Sequence, residues 1–182
     1  MRPCGYDVNS LCFIIYVAIM TENKISQIIK ILAPLLIEKN KVIATAESCT
    51  GGWIAKSITD IEGCSEWFDS SIVTYSNQAK VDLLGVQQST LDNHGAVSQP
   101  VVKEMVLGLV DRSNANVGIS VSGVAGPGGG TSDKPVGTVW IAWAKSGVFV
   151  EAVKFKFEGN RNEIRLLSVY EAFKGVERLL SQ

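Results

Sequence analysis

Between residues 21 and 38 the apolar positions Ile25, Ile28, Ile29, Ile31, Leu32, Leu35, Leu36 and Ile37 recur at helical spacing and draw one wide apolar face. Thr21 can cap this helix, with Lys24 where a capping box would have an acid, so the cap is weak. Pro34 is predicted to bend or divide it. The spacing then changes. "KVIATA" (41–46) and "SSIVTYS" (70–76) read as strands, and Gly51 and Gly52 introduce a helix running to Thr59. "NQAKVDLLG" (77–85) is a short helix closed by Gly85. "SQPVVKEMVLGLVDRS" is an amphipathic helix from Ser98, with Pro100 in its first turn, where the missing N–H does little harm. A third strand, "NVGISVS" (116–122), precedes the glycine-rich, irregular "GVAGPGGGTSDKP" (123–135). Residues 136–157 read as a hairpin turning near Lys145–Gly147, and "NRNEIRLLSVYEAFKGVERLL" as a closing amphipathic helix. Strands separated by helices, plus one hairpin, imply an α/β fold: a mixed sheet covered by helices on both faces.

The segment before this pattern differs. "LCFIIYVAIM" (11–20) is apolar but shorter than the about 20 residues a spanning helix needs. Arg2 is the only basic residue before it, no signal-cleavage pattern follows, and Met20 opens "MTENKISQ" like a natural start. Residues 1–19 are therefore expected to be an extension outside the fold, and residues 20–182 a single domain. A net charge of −1 gives no global pull towards nucleic acid or an anionic membrane. Four cysteines without a CxxC pair, and one histidine in the whole chain, point away from a metal site or disulfide framework and towards a reducing, cytoplasmic compartment.

In such sheets ligands gather beyond the carboxyl ends of the parallel strands. The turns after residues 46 and 76 and the loop after 122 all lie at such ends. In "ATAESCTGG" (44–52), Ser48 is either a nucleophile beside free helix N–H groups or, with Thr50, a simple helix cap. Cys49 is a rival nucleophile, although cysteines are more often buried and inert. A serine needs a proton acceptor. His94, in a predicted loop, is the only imidazole. Lysine is an alternative base, and Lys80 falls in the first turn of a helix, where burial and the positive helix end both disfavour the ammonium. Tyr75 ends the preceding strand and could relay a proton; equally, Lys80 could be a solvated helix-face lysine and Tyr75 a half-buried strand-end aromatic. The five glycines within 123–130 could cradle a phosphate or carboxylate, or form a flexible loop.

Taken together, "AESCTGG", "VTYSNQAKVDLLGV", "HGAVS", "SGVAGPGGGTSDKPVGTVWIA" and "FEGNRNEIR" resemble the CinA C-terminal domain family over roughly residues 22–180. That family includes stand-alone nicotinamide mononucleotide (NMN) deamidases of the PncC type. The resemblance implies a three-layer α/β/α sandwich with a mixed, mostly parallel five-stranded sheet. It implies hydrolysis of the NMN carboxamide to nicotinate mononucleotide and ammonia, in pyridine nucleotide salvage, with no metal and no cofactor. The family's nucleophile falls on Ser48, its general base on Lys80 and its active-site tyrosine on Tyr75. Substrate contacts are expected from Thr50, Gly51, Gly52, Ser76, Asn77, Gly123, Gly126, Gly128, Gly129, Thr131 and Arg161. Where the family commonly has GDR, this chain has Gly159-Asn160-Arg161. The alternative reading is a non-catalytic, competence-associated nucleotide-binding module using the same glycine-rich pocket. The expected partner is a small molecule rather than nucleic acid or membrane, with a symmetric dimer as the default assembly.

Overall fold

The structure, a computed structural model, describes residues 8–145 and 149–181. Helix α1 (Val8–Glu38) leads into β1 (Ile43–Glu47), α2 (Trp53–Thr59), a 3₁₀ turn at Cys64–Glu66, and β2 (Phe68–Val73). Three helices follow, α3 (Asn77–Leu84), α4 (Gln88–His94) and α5 (Gln99–Asp111). The chain finishes with β3 (Val117–Gly123), β4 (Thr138–Lys145), β5 (Phe149–Lys156) and α6 (Arg161–Leu180). The sheet order is β2-β1-β3-β4-β5. β1 pairs in parallel with β2 and β3, while β4 is antiparallel to both β3 and β5, so four of the five strands share one direction.

The two faces of the sheet are built differently. Ile43, Val117, Ile119, Val121, Val139, Ile141 and Trp143 point to one face and pack with α1, α2 and α6. Ala44, Ala46, Ala142 and Ala144 alternate with them and pack with α3, α4 and α5, as the period of two requires. Small residues let α5 sit close: a Cβ on Gly118 would lie 2.7 Å from Val110, and Ser120 Oγ donates to the Val102 carbonyl at 2.6 Å. On the other face α6 docks against Trp143, whose indole N–H donates to the Ala172 carbonyl at 2.7 Å. Arg178 stacks over the same ring at 5.1 Å. Asn160 opens α6 with a capping box completed by Glu163.

Several boundaries differ from expectation. Thr21 lies inside α1, which is helical from Val8; residues 1–7 lie outside the described residues, as does the hairpin turn at 146–148. Pro34 does not divide α1: the helix continues past it to Glu38, with the proline on its exposed side. β2 begins earlier, at Phe68, and leaves the ladder after Val73. His94 ends a helix, α4, instead of lying in a loop. Among the described residues no helix is long and apolar enough to cross a membrane.

The parallel register aligns Glu47 with Val73 on one side and Val121 on the other, so the carboxyl ends of β1, β2 and β3 meet at one edge. β1 connects outward to β2, and the β2-to-β3 connection passes back over β1, which puts a crevice at the end of β1. α6 reaches this edge with its first turns, and its seat on Trp143 fixes how far. A Cβ on Gly175 would lie 1.9 Å from the Trp143 ring. Gly175→Ala is therefore expected to destabilise the fold by about 1–3 kcal/mol, read as a lower denaturant midpoint with an unchanged slope.

Candidate active site

The turn after β1 carries Ser48, which is 8% exposed. The Ser48 N–H extends the parallel ladder to the Val121 carbonyl at 3.1 Å, and the Gly51 N–H closes back on the Ser48 carbonyl at 3.1 Å. Gly51 and Gly52 adopt φ of 63° and 90°, in the left-handed region that favours glycine and lets the chain reverse into α2. Glu47, wholly buried, holds the other side of the turn. Its carboxylate accepts the N–H groups of Gly52 at 2.9 Å, Ile54 at 3.1 Å and Ala55 at 2.9 Å. The free donors expected at the start of α2 are thus taken up internally. Arg165, from α6, donates to the Cys49 carbonyl at 3.1 Å and the Thr50 carbonyl at 2.7 Å, with its guanidinium 5.1 Å from the Trp53 ring. The N–H groups of Cys49 and Thr50 have no acceptor among the described residues.

Lys80 comes from α3 and is 1% exposed. Its Nζ lies 3.2 Å from Ser48 Oγ and donates to the Thr74 carbonyl at 2.7 Å. Ser76 Oγ accepts the Ala79 N–H at 3.0 Å and so fixes the start of the helix that delivers the lysine. Burial holds the Lys80 ammonium below its ordinary value of 10.5, against a smaller opposing pull from Cys49. No carboxylate pairs with this amine among the described residues. Cys49 is buried, and that burial pushes its thiol up to about 12, so it stays protonated and is a poor nucleophile.

Ser48 and Lys80 open onto a cleft of about 220 Å³ that Tyr75, Asn77, Gly123 and Arg161 also line. Cys49, Ala96, Val97, Ser122 and Ala125 complete its walls. Tyr75 is 64% exposed, and its hydroxyl accepts from Arg161 at 2.9 Å; it hydrogen-bonds neither Ser48 nor Lys80. Arg161 also donates to the Gly126 carbonyl at 2.6 Å, so these two side chains span from the β2–α3 junction to the glycine segment. The Ser76 hydroxyl is occupied by capping, Thr50 is fully buried, and the N–H groups of Gly51 and Gly52 are engaged in the turn. Gly128, Gly129 and Thr131 form an exposed turn, in which Thr131 Oγ1 accepts the Lys134 N–H at 3.1 Å. His94 is exposed and does not line the cleft; its carbonyl accepts from Lys134 at 2.5 Å.

The description "CinA C-terminal domain" belongs to the family model that matches residues 25–180. The chain belongs to the CinA C-terminal domain family. It is 50% identical over 147 residues to "Nicotinamide-nucleotide amidohydrolase PncC" of Enterobacter agglomerans, covering 81% of this chain and 90% of that protein. It is 46% identical over 146 residues to the protein of the same name from Escherichia coli K12, covering 80% and 88%. The crystal structure of "competence/damage inducible protein CihA" from Agrobacterium tumefaciens superposes with a TM-score of 0.84 at 39% identity, covering 87% of this chain and 96% of that one.

Sequence reasoning missed Glu47 and Arg165, although both lie in motifs that carry the family resemblance. The signal was a charged residue directly after the apolar run of β1, and a second arginine one helical turn beyond Arg161. Removing the Glu47 carboxylate leaves three N–H groups without their acceptor. Glu47→Ala is expected to cost about 1–3 kcal/mol for each donor left buried and unpaired, measured by equilibrium denaturation. Glu47→Gln, which keeps one acceptor oxygen, should lose less.

Proposed function

We propose that this chain is an amidohydrolase that converts NMN and water to nicotinate mononucleotide and ammonia through an acyl-enzyme on Ser48. The observation that carries this reading is the buried Lys80 amine 3.2 Å from Ser48 Oγ. The naming of close relatives as nicotinamide-nucleotide amidohydrolases supports the substrate. Burial lowers the Lys80 pKa, so its neutral form, whose lone pair can take the hydroxyl proton, is easier to reach than for an exposed lysine. The Thr74 carbonyl at 2.7 Å keeps the nitrogen oriented whether it is charged or neutral.

The steps balance with these groups alone. Lys80 takes the Ser48 proton as Oγ bonds to the carboxamide carbon, and the carbonyl oxygen gains the negative charge. The electron-poor pyridinium ring makes that carbon more electrophilic. When the C–N bond breaks, Lys80 returns its proton to the departing nitrogen, which leaves as ammonia. A water molecule then attacks the ester, Lys80 accepting its proton and giving it back to Ser48 Oγ as nicotinate mononucleotide leaves. Arg161 supplies a cation at the cleft for the substrate phosphate, with Asn77 beside it. The role places the protein in pyridine nucleotide salvage.

Incubation with NMN should release ammonia and nicotinate mononucleotide in equal amounts. Ser48→Ala should abolish turnover, Lys80→Ala should lower kcat about 10²–10⁴-fold, and Cys49→Ala should keep it. Tight NMN binding without ammonia release would select the non-catalytic reading instead. Because the neutral amine is the active form and burial depresses its pKa, activity should rise with pH through a midpoint below 10.5. A rate that falls as pH rises through this range would contradict the assignment of Lys80 as base.

A further inference from the structure

The Ser48 turn is gripped from two directions by side chains that take no part in proton transfer. Glu47 holds the N–H groups of Gly52, Ile54 and Ala55. Arg165 holds the carbonyls of Cys49 and Thr50. A trans peptide is planar and points its N–H opposite to its carbonyl. The Cys49 carbonyl and the Thr50 N–H share one such plane. The Cys49 N–H lies in the preceding plane, with the Ser48 carbonyl that accepts the Gly51 N–H, so the bonds from Gly51 and Arg165 hold the peptides on both sides of Cys49.

The remaining donors of the turn are accounted for. The Ser48 N–H is tied to Val121 and the Gly51 N–H to the Ser48 carbonyl. The first N–H groups around α2 belong to Glu47, so the helix end itself offers no anion site. Among the described residues the N–H groups of Cys49 and Thr50 stay unmatched at this turn, and of these two residues Cys49, directly after the nucleophile, is in the wall of the cleft, whereas Thr50 is fully buried.

We propose that Arg165 is a positioning residue for the oxyanion: by holding the Cys49 and Thr50 carbonyls, it locks the turn on the far side of Cys49 so that the Cys49 N–H in the cleft wall faces the oxygen that gains charge when Ser48 is acylated. This rests on the amidohydrolase reading above. The choice of side chain fits the task. Two carbonyls must be met at once, by Nε at 3.1 Å and a terminal nitrogen at 2.7 Å, which a planar guanidinium does and an ammonium on a flexible stem does poorly. The Trp53 ring at 5.1 Å buttresses the guanidinium face. Gly51 leaves room for it, since a Cβ there would already lie 3.4 Å from the Arg165 terminal nitrogen. Preorganised donors of this kind act only on the charge that develops during reaction, so their loss falls on kcat.

The test compares wild type, Arg165→Ala and Arg165→Lys by NMN kinetics, inhibition by nicotinate mononucleotide, the pH dependence of kcat, and unfolding midpoint. Arg165→Ala should lower kcat about 10²–10³-fold while KM and the product inhibition constant stay within about threefold. The pH midpoint should not move, because Lys80 keeps its surroundings. Arg165→Lys should recover only part of kcat, and guanidinium ion added to Arg165→Ala should restore some of it. If Arg165→Ala does not fold, Arg165→Lys carries the same readouts. An unchanged kcat in folded variants, a loss confined to KM, or a shifted pH midpoint would overturn the proposal. Wild type that releases no ammonia from NMN would instead sink the amidohydrolase reading beneath it.

Discussion

A lysine nitrogen buried at 1% exposure, without a carboxylate beside it among the described residues, is the constraint on which the rest of this site depends. Burying an ammonium without a counter-ion is expensive, and the group responds by giving up its proton more readily. Among the described residues, the oxygens bonded to Lys80 Nζ are a backbone carbonyl and a serine hydroxyl. Neither is charged, so neither restores the ordinary lysine pKa. A carboxylate in place of the Thr74 carbonyl would make a buried ion pair and remove the base. Burial also silences Cys49, keeping its thiol protonated beside Ser48, with which it would otherwise compete.

The fold supplies this geometry through an uneven sheet. Bulky residues on one face seat α6 on Trp143, and α6 carries both Arg161 and Arg165 to the end of β1. Alanine, glycine and serine on the other face let α5 press close, beside α3 and its lysine. Ser48 leaves the sheet between the two layers. The proposed nucleophile comes from the first strand–turn–helix unit, the proposed base from the second, and the Arg161 cation at the cleft from the last helix. Three distant stretches of chain meet because the parallel register brings their strand ends to one edge.

The repeated strand–turn–helix pattern made Ser48 and Lys80 candidates for one site, since each follows a strand end by a few residues and parallel strands bring such ends together, and the family resemblance assigned them as a pair. The mixed sheet and its hairpin were equally legible from the switch between periods of two and of about 3.6. What the pattern could not show was where hydrogen bonds already go. Helix starts promise free N–H groups, yet Glu47 fills those of α2 and Ser76 serves α3. A glycine run promises a cradle, yet only its first part faces the cleft, and Gly128, Gly129 and Thr131 turn outward. Arg165 stood in the sequence one helical turn beyond Arg161, but its task was hidden because its partners are carbonyls, which leave no mark on side-chain spacing. The polar run 88–94 has too few apolar residues for a helical period, and it holds as α4 through Leu91 packing in the core.

The most direct measurement is the pKa of Lys80 itself, followed by NMR with carbon-labelled lysine in wild type and in Lys80→Ala. The account predicts one lysine titrating below 10.5 whose signal vanishes in the variant. Every lysine titrating at or above the ordinary value, with none lost at the low end on substitution, would contradict it.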